Sequence, residues 1–485
     1  SSFQNEVSSF RSVPLFEFTE TTMFNAAFGP LLSSVNPTKF ITLDDYLVFS
    51  DSKELLELVI SNHLNKNTLE TSYAYQNIQK SLSDEASFQT YFDAQSLGTL
   101  LNELFSTTLK KKDLNAYKRS AIQLIKDDNI VHVNGVIQKS KSKQSKTQIS
   151  EEFNLMLPND ILMDPVFVTN HRTKEKEILT QDIENNLYLI SNKGVVLWKR
   201  KLNGAVLGNV TQVDLYRNGR LQLAFATPNT VYVIERDGKN VEGFPLKLKD
   251  KITQPLAVFD YDKQRNYRFL ITQNTTLLMC DSKGKSVEGF KYVASQRIGN
   301  QPKHFRIRGK DYIVFSAGNQ LKILDRRGNI RVKVKERLDF SGEAIYLYQS
   351  LFTTTNTKGD LVQINTKGNV SRQSLGLDQK HDITSSSKTL VTRSDNKLSI
   401  KSNRVDLEYG SYSPPNLFYL RDKIYISITD LQAQKIWLFD SQAKPFPNVP
   451  VFGSSAIDLA NADGDTSLEF VTKSDSNSLI MYQLY

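Results

Sequence analysis

The sequence predicts a mainly β fold: an eight-bladed, or alternatively seven-bladed, β-propeller preceded by a smaller α+β domain. Two observations carry that prediction. The first is a repeated unit in which an alternating apolar run enters a polar turn ending in Gly and a second run follows. It appears as NNLYLISNKGVVLWKRKL from Asn185 and as NTVYVIERDGKNVEGFPLKL from Asn229. It returns as LLMCDSKGKSVEGFKYV, LKILDRRGNIRVKV and LVQINTKGNVSRQSL. The turn glycines Gly194, Gly238, Gly284, Gly328 and Gly368 are spaced by 44, 46, 44 and 40 residues. Val-Glu-Gly-Phe recurs at 241–244 and 287–290. Short strands joined by Asn/Asp/Gly turns at such a period mark propeller blades. The second observation is that the last repeat, ending in Ser478–Tyr485, lacks its outer strand, while Ser150–Pro158 (SEEFNLMLP) looks like one.

Ahead of the repeats, residues 1–138 read as an α+β layer of helices on an antiparallel sheet. Lys39–Ser50 forms a hairpin turning at Asp44-Asp45, and Asp51 to Glu54 matches a helix capping box before Leu55, Leu58, Val59 and Leu64. Further helices are expected over Tyr75–Leu82 and Leu97–Leu109, the latter ending in Lys110-Lys111-Lys112, which suits the negative end of a helix dipole. A strand is expected at Phe88–Phe92 and a hairpin over Ser120–Gln138, turning at Asp127-Asp128-Asn129. Residues 139–149 form a basic linker, whose first nine contain no apolar side chain.

The propeller is expected over 150–485. Its blocks begin near Pro165, Thr211, Pro255, Pro302, Ala344, Ile383, Pro415 and Ala456. In the sixth and seventh, Asn403 and Ala443 stand where the turn glycine is expected. Pairing strand 150–158 with the last repeat closes the ring and removes two exposed edges.

Composition narrows the function classes. The net charge of +9 over 485 residues is modest, and no known nucleic-acid-binding module is visible, so nucleic acid is not an expected partner. Cys280 is alone, which rules out an intrachain disulfide, and it is expected to fill core space. No run of eighteen apolar residues occurs. The chain opens Ser-Ser-Phe-Gln without Met, as a processed or partial chain does.

The first four blocks resemble the PQQ-like, or quinoprotein-type, propeller repeat, with Asn192-Lys-Gly-Val-Val-Leu-Trp198 the best copy. That family includes quinoprotein dehydrogenases and the propeller lipoprotein of the outer-membrane β-barrel assembly machinery. An α+β domain before such a propeller is also similar to envelope proteins of Bacteroidota. The resemblance implies a periplasmic or outer-membrane-associated location and eight blades.

An enzyme is not expected. A quinoprotein dehydrogenase commonly has a vicinal disulfide, which Cys280 alone cannot make, and Trp198 and Trp437 both fall in blade strands. The histidines His63, His132, His171, His304 and His381 lack metal-ligand spacing, and no nucleophile elbow or phosphate loop appears. One turn has ligand chemistry: Asn461, Asp463, Asp465 and Glu469 place oxygens at positions one, three, five and nine, as in a structural Ca²⁺ loop. It resembles the calcium loops of integrin-type propeller repeats, with two departures: Asn at position one, and Thr466 where Gly is usual. The bland alternative is a plain Asp/Gly turn, the form the related segments Asp214–Gln222 and Asp260–Arg268 take. The expected function is a non-catalytic protein-interaction scaffold of the bacterial cell envelope, accessory to outer-membrane protein assembly or secretion, with envelope proteins as partners. The alternative is a ligand- or cofactor-binding propeller, quinoprotein-like or glycan-binding.

Overall fold

The computed structural model describes residues 6–20, 22–29, 36–65, 68–69, 75, 78–79, 81–83, 86–93, 96–97, 99, 119–127, 130–138, 149–465 and 467–484. The chain divides into two compact units, Ser1–Gln148 and Ile149–Tyr485.

The first unit holds two antiparallel sheets, where the sequence suggested one layer. A four-stranded sheet contains Glu6–Phe10, Val13–Glu17, Lys39–Leu43 and Tyr46–Ser50; its first hairpin was not foreseen. The Asp44-Asp45 turn is as expected, with Leu43 paired to Tyr46. The helix Lys53–Leu64 packs Leu56 and Ile60 against Leu15 and Ile41. Its N-cap is Ser52 rather than Asp51: Ser52 Oγ accepts from Leu55 N (3.1 Å) and donates to Glu54 (2.8 Å). One residue nearer the helix, Ser52 reaches the N–H of its third residue. The second sheet holds Phe88–Phe92, Arg119–Asp127 and Ile130–Gln138. Within the expected helix over 75–82, Tyr75, Ile78 and Gln79 are helical, while the expected helix over 97–109, the turn residues 128–129, the lysines at 110–112 and most of the linker fall largely or wholly outside the described residues.

The second unit is a β-propeller holding eight four-stranded antiparallel sheets. We letter the strands A to D in each. In seven sheets they are consecutive, from Ile161–Thr169, Lys176–Asp182, Asn186–Ser191 and Val196–Lys201 onward. In the eighth, strands A to C are Asp458–Ala460, Leu468–Lys473 and Ser478–Leu484, and D is Ile149–Met156. Leu484 pairs with Ile149 and Ser478 with Met156, so the strand that begins the unit completes its last sheet.

Apolar side chains fill the gaps between neighbouring sheets. Val213 and Val233 of the second sheet meet Phe269 and Ile271 of the third, and Leu157, Ile178 and Tyr188 meet Val471 and Met481 across the closure. Between the fifth and sixth sheets the contact is polar: His381 bonds Thr355 Oγ1 (2.8 Å) and Asp378 O (2.7 Å). Polar side chains also tie A strands together. Asp458 accepts from Phe167 N (2.7 Å), Gln212 exchanges bonds with Thr169 N and O (2.7 and 2.9 Å), and Asn416 donates to Ile457 O (3.2 Å). Burial raises the Asp458 carboxyl above its ordinary range. The C–D turn glycines take positive φ as the repeat demands, for example 83° at Gly238. In the sixth sheet that role falls to Lys401 (φ 55°), because Asn403 already begins strand D, and not to Asn403 as the repeat alignment implied.

Candidate functional site

The expected calcium turn joins strands A and B of the eighth sheet. Asp463, Asp465 and Glu469 each bring a carboxylate oxygen within 4.8 Å of the others; Asp463 and Asp465 are exposed and Glu469 is buried. Asn461 has a different task. Its Oδ1 accepts from Gly464 N (2.7 Å), and its Nδ2 donates to Asp465 O (2.6 Å) and Ser467 O (2.9 Å), which knots the turn. Thr466 lies outside the described residues. Burial pushes the Glu469 carboxyl up to about 7, with Asp463 and Asp465 adding to the rise and the Ala462 N–H opposing it. Glu152, on the closing strand, belongs to the same electrostatic group: desolvation and then Asp463 hold its carboxyl above the ordinary range. Nothing in the sequence marked Glu152, which lies some three hundred positions away. Three gathered carboxylates fit a hard divalent cation, which would hold Glu469 ionised.

The same turn elsewhere satisfies its carboxylate with backbone N–H groups and, at Asp214, an arginine. Asp214 accepts from Asn218 N (3.1 Å) and Gly219 N (2.8 Å) and pairs with Arg265 (2.7 Å). Asp260 accepts from Gln264 N (3.1 Å) and Arg265 N (2.8 Å).

His304 pairs with Asp311 (2.8 Å), but Asp311 also binds Arg326 (2.7 Å), and the His304 ring lies edge-on to Tyr261 at 4.9 Å. This is an ion-pair network between the third and fourth sheets, reinforced by Arg326 on Asp262. Beside it a hollow of about 270 Å³ is lined by Phe259, Lys303, His304 and Phe305 among others. Burial lowers the Lys303 ammonium, which sits 4.5 Å over the Tyr346 ring. The tryptophans are structural. Trp198 Nε1 donates to Arg236 O (2.6 Å) on the next sheet, and Trp437 stacks on Phe439 at 6.2 Å. Cys280 is partly buried against the apolar core, and burial raises its thiol.

A larger hollow, about 400 Å³, opens where the first sheet meets the second. It is lined by Leu162, Met163, Val166, Val206 and Val210, with Asp164, Gln181 and Asn209 as its polar members. The Gln181 amide is committed, donating to Gly204 O (3.0 Å) and accepting from Val206 N (2.8 Å). Asp164 pairs with Lys473 (3.3 Å). Leu162, Met156 and Ile183 are exposed by 46%, 61% and 56%. Backbone bonds hold their segments together: Ile183 N to Asp160 O (2.9 Å) and Ile161 N to Ser476 O (2.7 Å). Exposed Asp160 and Glu184 flank them. Sequence reading missed this hollow because its lining comes from strand A, the end of strand B and the D-to-A connection, each of them unremarkable alone.

No protein-family model matches the chain, and no curated protein matches it in sequence. Among solved structures it is similar to BamB from Moraxella catarrhalis, at 12% identity and TM-score 0.46, over 69% of this chain and 98% of that one. It is similar to BBS1N, solved in complex with ARL6DN, at 10% identity and TM-score 0.42, over 70% and 97%. It is also similar to the Neurospora crassa Pan2 WD40 domain, at 12% identity and TM-score 0.40, over 69% and 95%. Among the described residues, no helix is long and apolar enough to cross a membrane.

Proposed function

We propose that this chain is a non-catalytic protein-interaction scaffold of a bacterial cell envelope, an accessory subunit of outer-membrane protein assembly or secretion. The observation that carries the scaffold reading is the 400 Å³ hollow lined by exposed Leu162, with Ile183 and Met156 also exposed at the same end of the propeller. An apolar recess with exposed apolar side chains at its end of the fold suits a protein contact. Gln181 and Asp164 at the hollow are spent on holding the loop and a lysine, which favours an apolar recess over a reacting centre. Asp160 and Glu184 select a partner that inserts an apolar side chain and offers cations at the rim. The envelope assignment rests on the quinoprotein-type repeat at Asn192–Trp198. Affinity purification from envelope extracts tests both parts: wild type retains an envelope protein that Leu162→Asp and Ile183→Asp variants lose. Equal recovery by all three would remove this surface from the account.

A second reading is a ligand-binding propeller, favoured by the buried lysine at the 270 Å³ hollow. Titration with calcium and a quinone checks it, because a bound quinone changes the absorbance spectrum. An unchanged spectrum leaves the scaffold reading alone.

A further inference from the structure

Strand direction alternates within each sheet, so the A–B and C–D turns share one end and the B–C turns the other. Contacts between sheets show that the A–B and C–D ends adjoin as one face. Asn192 of the first sheet donates to Ala462 O of the eighth (3.1 Å), and Arg265 of the third pairs with Asp214 of the second (2.7 Å). Gln349 N of the fifth bonds Ser387 O of the sixth (2.9 Å), and Arg421 of the seventh donates to Asp465 O of the eighth (2.9 Å).

This face is basic. The C–D turns of six sheets carry exposed Lys193, Lys283, Arg327, Lys367, Lys401 and Lys444, with no carboxylate in salt-bridge range among the described residues. Lys239 supplies the seventh, paired locally with Asp237 (3.2 Å). The opposite end is more balanced: its B–C turns carry Glu184, Asp395 and Asp475 against Lys358, and its D-to-A connections set Lys249, Lys251, Arg297 and Lys380 among Asp160, Asp250, Asp378 and Glu408. Apolar side chains are set among the cations: Val195 and Ile330, each 59% exposed, follow the turns of Lys193 and Arg327. Exposed Tyr216 and Tyr419 lie at the same end, their hydroxyls donating to Glu235 and Asp422 (both 2.7 Å).

We infer that this turn face docks on an anionic lipid bilayer. The cations come one per sheet around a broad circuit and do not line a groove. A planar array of headgroups meets all of them at once, whereas an acidic peptide meets two or three. They are mostly lysines, point charges suited to a diffuse negative surface; bidentate recognition of one group favours arginine. Aliphatic and tyrosine side chains between the lysines enter the interfacial layer. The eighth sheet interrupts the circuit with Asp463 and Asp465, so contact runs over the first seven.

Sedimentation of the full chain with vesicles tests this without any partner protein, and so independently of the scaffold reading. The protein pellets with vesicles containing phosphatidylglycerol, stays in solution with pure phosphatidylcholine, and is released by high salt. At roughly 1 kcal/mol per cation, the variant Lys193→Glu, Lys283→Glu, Arg327→Glu, Lys367→Glu binds at least about a hundredfold more weakly. A control with equal charge change at the opposite end, Lys249→Glu, Lys251→Glu, Arg297→Glu, Lys380→Glu, keeps most of its binding. Circular dichroism verifies that both variants fold. Failure of the wild type to pellet, or equal loss in the two variants, overturns the inference. Binding to soluble polyglutamate without vesicle binding overturns it in favour of an acidic protein.

Discussion

The two ends of the propeller unit are built from the same strands and differ in what their turns expose. At the A–B and C–D end, tight turns leave lysines in water around the circuit. At the B–C end, next to the closing strand, the chain exposes Met156, Leu162 and Ile183 beside a hollow with an acidic rim. The difference is one of turn architecture. C–D turns close after a positive-φ residue whose neighbours face outward, which favours small and charged residues. The D-to-A connection of the first sheet, Leu202–Val210, instead lines the hollow and is held by Gln181. A diffuse partner suits the first end and a shaped partner the second.

The largest effect is expected from breaking the frame both ends share. Phe153 on the closing strand packs into the core between the eighth and first sheets. Phe153→Ala should cost about 3 kcal/mol, seen as a lower denaturation midpoint, and should weaken both ends together. Next, Leu162→Asp should lower partner affinity at least about tenfold, as loss of a central anchor does. Its stability should fall by no more than about 1 kcal/mol, because nearly half of the side chain is already in water.

A smaller effect separates the carboxylate turn from the lysine turns beside it. Glu469 ionises near 7 when folded and in the ordinary carboxylate range when unfolded, so the folded state binds more protons between those values. Stability should fall as pH rises from about 4.5 to about 7, by on the order of 2 kcal/mol, and then level off. Glu469→Gln should flatten that part of the profile. If the turn takes up calcium, adding the ion above pH 7 raises the melting temperature of wild type and not of the Gln variant.

Much of the fold was legible because the repeat is enforced by backbone chemistry. Gly194, Gly238, Gly284, Gly328 and Gly368 recur because a left-handed turn position recurs, and the unpaired edge of the last repeat called for Ser150–Pro158. Where other residues tolerate that position, at Lys401 (φ 55°) and Ala443 (φ 63°), the signal faded and the alignment slipped to Asn403 in the sixth repeat. The Glu6–Glu17 hairpin was missed because its turn, Arg11-Ser12, takes positive φ at both residues (48° and 63°) without Gly, Asn or Asp to announce it. Of the site, the Asp463, Asp465 and Glu469 constellation was visible because it is local. The hollow at Leu162 was not, since an exposed apolar residue means little until the chain segments that form a recess around it are brought together.

The central claim is that the B–C end receives a protein. Photo-crosslinking amino acids placed singly at positions 162, 183 and 239 of the full chain test it most directly in intact cells. The account predicts one common protein adduct from 162 and 183 and its absence at 239, on the opposite face. No adduct at 162 and 183, or the same adduct at all three positions, would contradict it.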